Sequence, residues 1–169
     1  MPERKEIAQF PPERSALFTR REYRDALERL SVLAQRELRI FDVDVSDLEI
    51  NSRQKYELLR GFLLRGRNNR LYIAVHSADY IRNYCPRLLD LLRQFSDRMF
   101  IHQTQGEAVH AQDSLVLADK LHFVRRPVQA QPRATLALND DKEGESMLQR
   151  FSEIWDSSVP TVSATTSGL

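Results

Sequence analysis

Only one cysteine, Cys85, stands in the 169 residues. A lone thiol cannot close an internal disulfide, which fits a reducing cytoplasm. It precedes Pro86 inside an apolar segment and reads as a buried, inert thiol. An excess of one charge is also missing. Lys and Arg number 25 and Asp and Glu 24, a formal net charge of +1. No global field therefore draws the chain to nucleic acid or to an anionic membrane. No apolar run is long enough to span a bilayer. The opening MPERKEIAQFPPER lacks the apolar stretch of a secretory signal, so a cytoplasmic protein is expected. Histidine is scarce. His76, His102, His110 and His122 show no short ligand spacing and have a single cysteine for company, so neither a metal nor another cofactor is expected. No internal repeat is present.

What remains is an ordinary globular composition, 41% hydrophobic and 29% charged. A domain of this length buries roughly 70% of the surface its unfolded chain exposes. Residues 1–14, polar and carrying Pro11-Pro12, read as a mobile arm. Residues 15–158 read as one domain, and residues 159–169, rich in Ser and Thr, as a disordered tail.

Within the domain, Thr19 and Glu22 form a capping box that opens a helix running to about Arg36. Its apolar face is Tyr23, Ala26, Leu27, Leu30, Leu33 and Ala34. Residues 38–45, LRIFDVDV, read as a strand. In it Asp42 and Asp44 would share one face, as a pair that could serve acid–base or metal chemistry or cap and pair with nearby arginines. Asn51 or Ser52 can cap a second helix to about Leu64. LYIAV at 71–75 reads as a strand buried on both faces. Pro86 should interrupt the helical stretch that follows, and residues 98–103 form another strand. This alternation points to an α/β fold, a mixed, mainly parallel sheet flanked by helices. Residues 114–126, SLVLADKLHFVRR, read as a hairpin turning at Asp119-Lys120. Residues 133–138 form one more strand. An acidic turn then leads into a closing helix through Trp155.

The layout resembles one half of a phospholipase D enzyme. That superfamily carries His-x-Lys-x-x-x-x-Asp in a late hairpin, followed by Gly-Ser-x-Asn, and often closes on a helix ending Phe-x-x-x-Trp. Here Phe151 and Trp155 fit the close. QDSLVLAD fits the hairpin, with Gln112 at the His position, Ser114 at the Lys position and Asp119 at the Asp position. Arg125-Arg126 stand where Gly-Ser is expected. The resemblance is to a degenerate, single-motif member of an uncharacterised bacterial branch. It implies that Gln112 can neither attack phosphorus nor carry a proton, and that Ser114 supplies no cation. The expected function is that of a catalytically inactive module. It would bind an anionic, phosphate-containing ligand or a protein partner. The alternative is an active phosphodiesterase or nuclease using His110 or His122. Single-motif family members assemble their site across a dimer, so the resemblance also implies a homodimer.

Arg125 and Arg126 are the anion-binding candidates. Adjacent strand residues face opposite ways, so only one can face a cleft. A guanidinium there could grip phosphate by paired hydrogen bonds. A structural salt bridge, perhaps to Asp119, is the plainer reading. Arg65, Arg67 and Arg70 form a second basic group in a loop. It could touch a nucleic-acid backbone, but no interleaved aromatics mark a stacking platform, so a solvated turn is favoured.

Overall fold

A computed structural model describes residues 11–163. Eight strands form one sheet in the order β1-β7-β6-β5-β2-β3-β4-β8. They are β1 Glu13–Leu17, β2 Glu37–Asp42, β3 Arg70–Val75, β4 Met99–Thr104, β5 Ser114–Ala118, β6 His122–Arg126, β7 Ala134–Leu138 and β8 Ser158–Val162. Five helices accompany them: α1 Arg20–Leu33, α2 Arg53–Arg65, α3 Asp79–Tyr84, α4 Pro86–Gln94 and α5 Asp141–Asp156. The α/β class, the mixed sheet and the flanking helices are all as the alternation of patterns predicts. The parallel pairings are β2–β3 and β3–β4. The other five are antiparallel (the β5–β6 hairpin, both sheet edges, β2 with β5 and β6 with β7), so the sheet is mixed but not mainly parallel as expected.

The local signals act as their chemistry requires. Thr19 Oγ1 accepts from the Glu22 amide at 3.1 Å, and the Glu22 carboxylate accepts from the Thr19 hydroxyl and the Phe18 amide. Two free amides at the start of α1 are satisfied in this way. Ser52, rather than Asn51, caps α2; the Asn51 side chain instead accepts from the Arg87 amide. Pro86 ends α3 and opens α4 at a first-turn position where its missing N–H costs nothing.

One face of the sheet buries Ile40, Ile73, Ile101 and Val124 against Leu27, Phe62 and Leu91 of α1, α2 and α4. The other buries Phe41, Leu115, Leu117 and Phe123 against Phe151 and Ile154 of α5. Apolar residues therefore line both faces of the central strands, and a helical layer covers each.

The ends of the domain are corrected. Glu13 and Arg14, assigned to the arm, lie in β1, which pairs with β7. Residues 159–162, assigned to the tail, lie in β8, which pairs with β4. Pro160 is tolerated because β8 is an edge strand, where one side of the backbone needs no partner. The rest of the proposed arm, residues 1–10, and of the proposed tail, residues 164–169, lies outside the described residues. Among the described residues no helix is long and apolar enough to cross a membrane.

Candidate functional site

Register builds the site. Asp42 is the last residue of β2, Ser114 the first of β5 and Arg126 the last of β6. Phe41 is paired with Leu115, and Ser114 with Arg126. Asp42, Ser114 and Arg126 thus stand side by side on three neighbouring strands. Alternation turns all three toward the face covered by α1.

The Ser114 hydroxyl donates to Asp42 Oδ1 at 2.8 Å, and Arg126 Nη2 lies 3.5 Å from the same oxygen. Asp42 Oδ2 accepts from the Val45 amide at 2.8 Å. Arg126 Nη1 reaches Asp47 at 3.3 Å. The side chains of Asp42 and Arg126 are each 1% exposed, so this ion pair is sealed from solvent. Tyr23 of α1 lies over the guanidinium, 4.7 Å from carbon to ring centre, a cation–π contact. Tyr23 Oη and Arg126 Nε are buried without a hydrogen-bond partner among the described residues. Burial raises the Asp42 carboxyl above its usual range, although Ser114, two backbone amides and Arg126 all pull it down. Burial, with Asp42 adding to it, likewise pushes the Tyr23 hydroxyl up.

A second network occupies the opposite face. Asp113 is nearly buried and takes Arg150 of α5 at 2.8 Å and Arg125 at 3.4 Å. Burial pulls its carboxyl upward, but the hydrogen bond and charge of Arg150 and the charge of Arg125 outweigh that and hold it below the usual range. His76, just beyond β3, has both ring nitrogens engaged. Nε2 is 2.7 Å from the Ala111 carbonyl and Nδ1 2.6 Å from Thr104 Oγ1. A carbonyl only accepts, so Nε2 carries a proton; in the neutral ring, Nδ1 then accepts from the threonine hydroxyl.

The sequence candidates therefore separate. Gln112 is exposed just outside this cluster, and its carbonyl accepts from the Gln129 amide. Ser114 is inside the cluster and fully buried. Asp119 is at the other end of β5, about 15 Å away along the strand. It accepts from the amides of Gln35, Arg36 and Glu37 at 2.9–3.1 Å. That contact ties the β5–β6 turn to the start of β2. Neither Arg125 nor Arg126 pairs with Asp119 as suggested; their partners are Asp113, Asp42 and Asp47. As anion-binding candidates both are occupied by carboxylates, and Arg126 is out of reach of solvent.

His122 also sits at the Asp119 end, paired with Ala118 across the hairpin. Its Nδ1 accepts from the Asn139 amide at 3.0 Å. Burial lowers its pKa, an effect that Arg29 adds to and Asp119 opposes. His110 is exposed and lies in a 3₁₀ turn, not on the extended strand that would bring it beside Gln112. It lines a shallow hollow of about 370 Å³ with Arg150, Glu153 and Ser157. The structure does not bring the two histidines together. Asp42 and Asp44 do not form a carboxylate pair on one strand face either. The strand ends at Asp42, and Asp44 instead accepts from the amide and hydroxyl of Ser46. Among the described residues no three His, Cys, Asp or Glu side chains converge as a metal site. Sequence reading missed Tyr23, Asp47, His76 and Arg150. Of these only Tyr23 carried a signal, its place on the apolar helix face.

Comparison with solved structures shows the phospholipase D-like fold. Nuc from Salmonella typhimurium, a phospholipase D family member, superposes with a TM-score of 0.67 at 12% identity, over 90% of this chain and 100% of that one. NucT from Helicobacter pylori gives a TM-score of 0.60 at 8% identity, covering 89% and 100%. TrmBL2, an archaeal chromatin protein with a novel mode of DNA binding, gives 0.66 at 10% identity, covering 88% of this chain and 55% of that one. A search by sequence finds no match among curated proteins. Residues 19–164, from the capping threonine to just past the last strand, match the model of the domain of unknown function DUF7931, and the chain belongs to that family.

Proposed function

We propose that this chain is a catalytically silent phospholipase D-like module, a single-motif member of a bacterial branch that works by binding rather than by turnover. One observation carries the reading. Ser114, at the position where the family places its lysine, donates to a buried aspartate that also holds Arg126. The cation at this end of the sheet neutralises carboxylates of the same chain instead of a phosphoryl oxygen. The nucleophile position holds Gln112, an amide that neither attacks phosphorus nor relays a proton. His76 spends both ring nitrogens on internal partners. The likeness to TrmBL2 is consistent with this fold serving a binding role in a chromatin protein.

Turnover of bis(p-nitrophenyl) phosphate and of a labelled single-stranded oligonucleotide tests the proposal. Wild type should release product no faster than buffer. Product release that disappears in His110→Ala or His122→Ala would overturn it in favour of an active phosphodiesterase. A second copy of the chain is the partner the family resemblance suggests. Sedimentation velocity at micromolar concentration should then find a dimer, and a monomer throughout would remove that part of the proposal.

A further inference from the structure

A hollow lies at the end of the sheet away from the Asp42–Arg126 pair. Its volume is about 720 Å³, and it opens between the end of α1, the start of β2, the β5–β6 turn and α5. That size falls within the roughly 300–1,000 Å³ common for small-molecule sites. Leu33, Leu121 and Leu148 give it apolar walls.

Its charges are unbalanced. Glu37 pairs with Arg39. The Asp119 carboxylate is taken up by three backbone amides. Arg36 and Lys120 also line the hollow, are exposed, and have no side-chain ion pair or hydrogen bond among the described residues. Arg24, Arg65, Arg98 and Arg125, by contrast, are each matched to a carboxylate or a carbonyl. Asp119 also fixes the spacing. It adopts a left-handed turn conformation with φ 56° and holds the Arg36 amide at 2.9 Å, which sets Arg36 and Lys120 on two sides of one opening. Beyond the turn, an adjoining hollow carries Asp141 and Glu145 beside Lys142, so an anion is favoured on the Arg36 side.

We propose that this hollow binds a soluble anionic amphiphile, a carboxylate or phosphate head on a short hydrocarbon chain. Arg36 and Lys120 hold the head, and Leu33, Leu121 and Leu148 hold the chain. Charged hydrogen bonds orient the anion, and burial of the hydrocarbon supplies non-directional affinity. The site deepens the binding role proposed above, yet it stands whether or not the chain hydrolyses phosphodiesters, so the two proposals fail separately.

Isothermal titration of the full chain with octyl phosphate, octanoate, inorganic phosphate and octanol tests it. The first two should bind, and the last two should bind at least about tenfold more weakly. Arg36→Gln with Lys120→Gln should weaken octyl phosphate by at least about tenfold while the melting temperature stays unchanged, because both side chains are exposed. Leu148→Ser should weaken octyl phosphate and leave inorganic phosphate as it was. Inorganic phosphate binding as tightly as octyl phosphate would overturn the assignment. So would octyl phosphate affinity unaltered in the double variant, or association only with phosphatidylglycerol vesicles and not with the monomeric probes.

Discussion

Replacing Arg126 by Met leaves the Asp42 carboxylate buried at 1% exposure with its cation gone. The Ser114 hydroxyl and the Val45 amide remain, so the carboxylate keeps two good donors but no compensating charge. Removal of one partner from a buried pair costs about 3–5 kcal/mol. The retained donors put Arg126→Met toward the lower part of that range. The variant also removes Nε, which is buried and has no partner among the described residues, and this offsets part of the loss. About 3 kcal/mol is expected, a fall in melting temperature of roughly 6–12 °C for a domain of this size. Asp42→Asn combined with Arg126→Met removes both charges and should recover at least about 1 kcal/mol of the single-variant loss. Urea unfolding of wild type, both single variants and the double variant closes the cycle. A loss below about 0.5 kcal/mol in Arg126→Met, or strictly additive losses, would refute the buried pair.

The other predictions concern the hairpin, the second network and the thiol. The Asp113 carboxyl is held below its usual range in the folded chain, so it contributes stability above the unfolded value of about 3.9, and loses it as pH falls through the folded value. Urea midpoints between neutral and strongly acid pH should therefore fall less steeply for Asp113→Asn than for wild type, and parallel curves would contradict this. In Gly144→Ala a Cβ would stand 1.9 Å from the Lys120 carbonyl oxygen, forcing α5 off the β5–β6 turn at a cost of about 1–3 kcal/mol. Gly61→Ala meets nothing within 4 Å and should stabilise α2 by up to about 1 kcal/mol; thermal melts of the two variants should move in opposite directions. Burial, with Asp44 adding to it, pushes the Cys85 thiol up to about 11. A disulfide reagent at pH 8 should label it only after denaturation.

The fold was legible where chemistry is local. The Thr19–Glu22 box, the Pro86 break, the Asp119-Lys120 turn and the alternating patterns all act over a few residues, and each stands where the sequence suggests. The sheet edges were not legible. β1 and β8 are five residues each and mixed in polarity. They exist because β7 and β4 offer unpaired backbone, a long-range cause with no local sign. The site was half legible. Counting along the phospholipase D pattern singled out Gln112, Ser114, Asp119 and the Arg125-Arg126 pair. It could not supply their partners, because Ser114 and Asp42 are 72 positions apart, and Arg126 and Asp42 are 84. Only strand register brings those side chains together. The sequence also could not say that Asp119 would be spent on three amides at the far end of its strand, and that contact aligns the rim of the hollow beside Arg36 and Lys120.

A catalytically silent chain has no side chain that attacks phosphorus. Intact-protein mass spectrometry tests it directly. The purified chain is incubated with an aryl phosphodiester, quenched within seconds and kept at alkaline pH, where phosphohistidine survives. The unmodified mass is expected at every time point, for wild type and for His110→Ala and His122→Ala alike. A phosphoryl adduct on wild type that disappears with either histidine would contradict it and make this chain an enzyme.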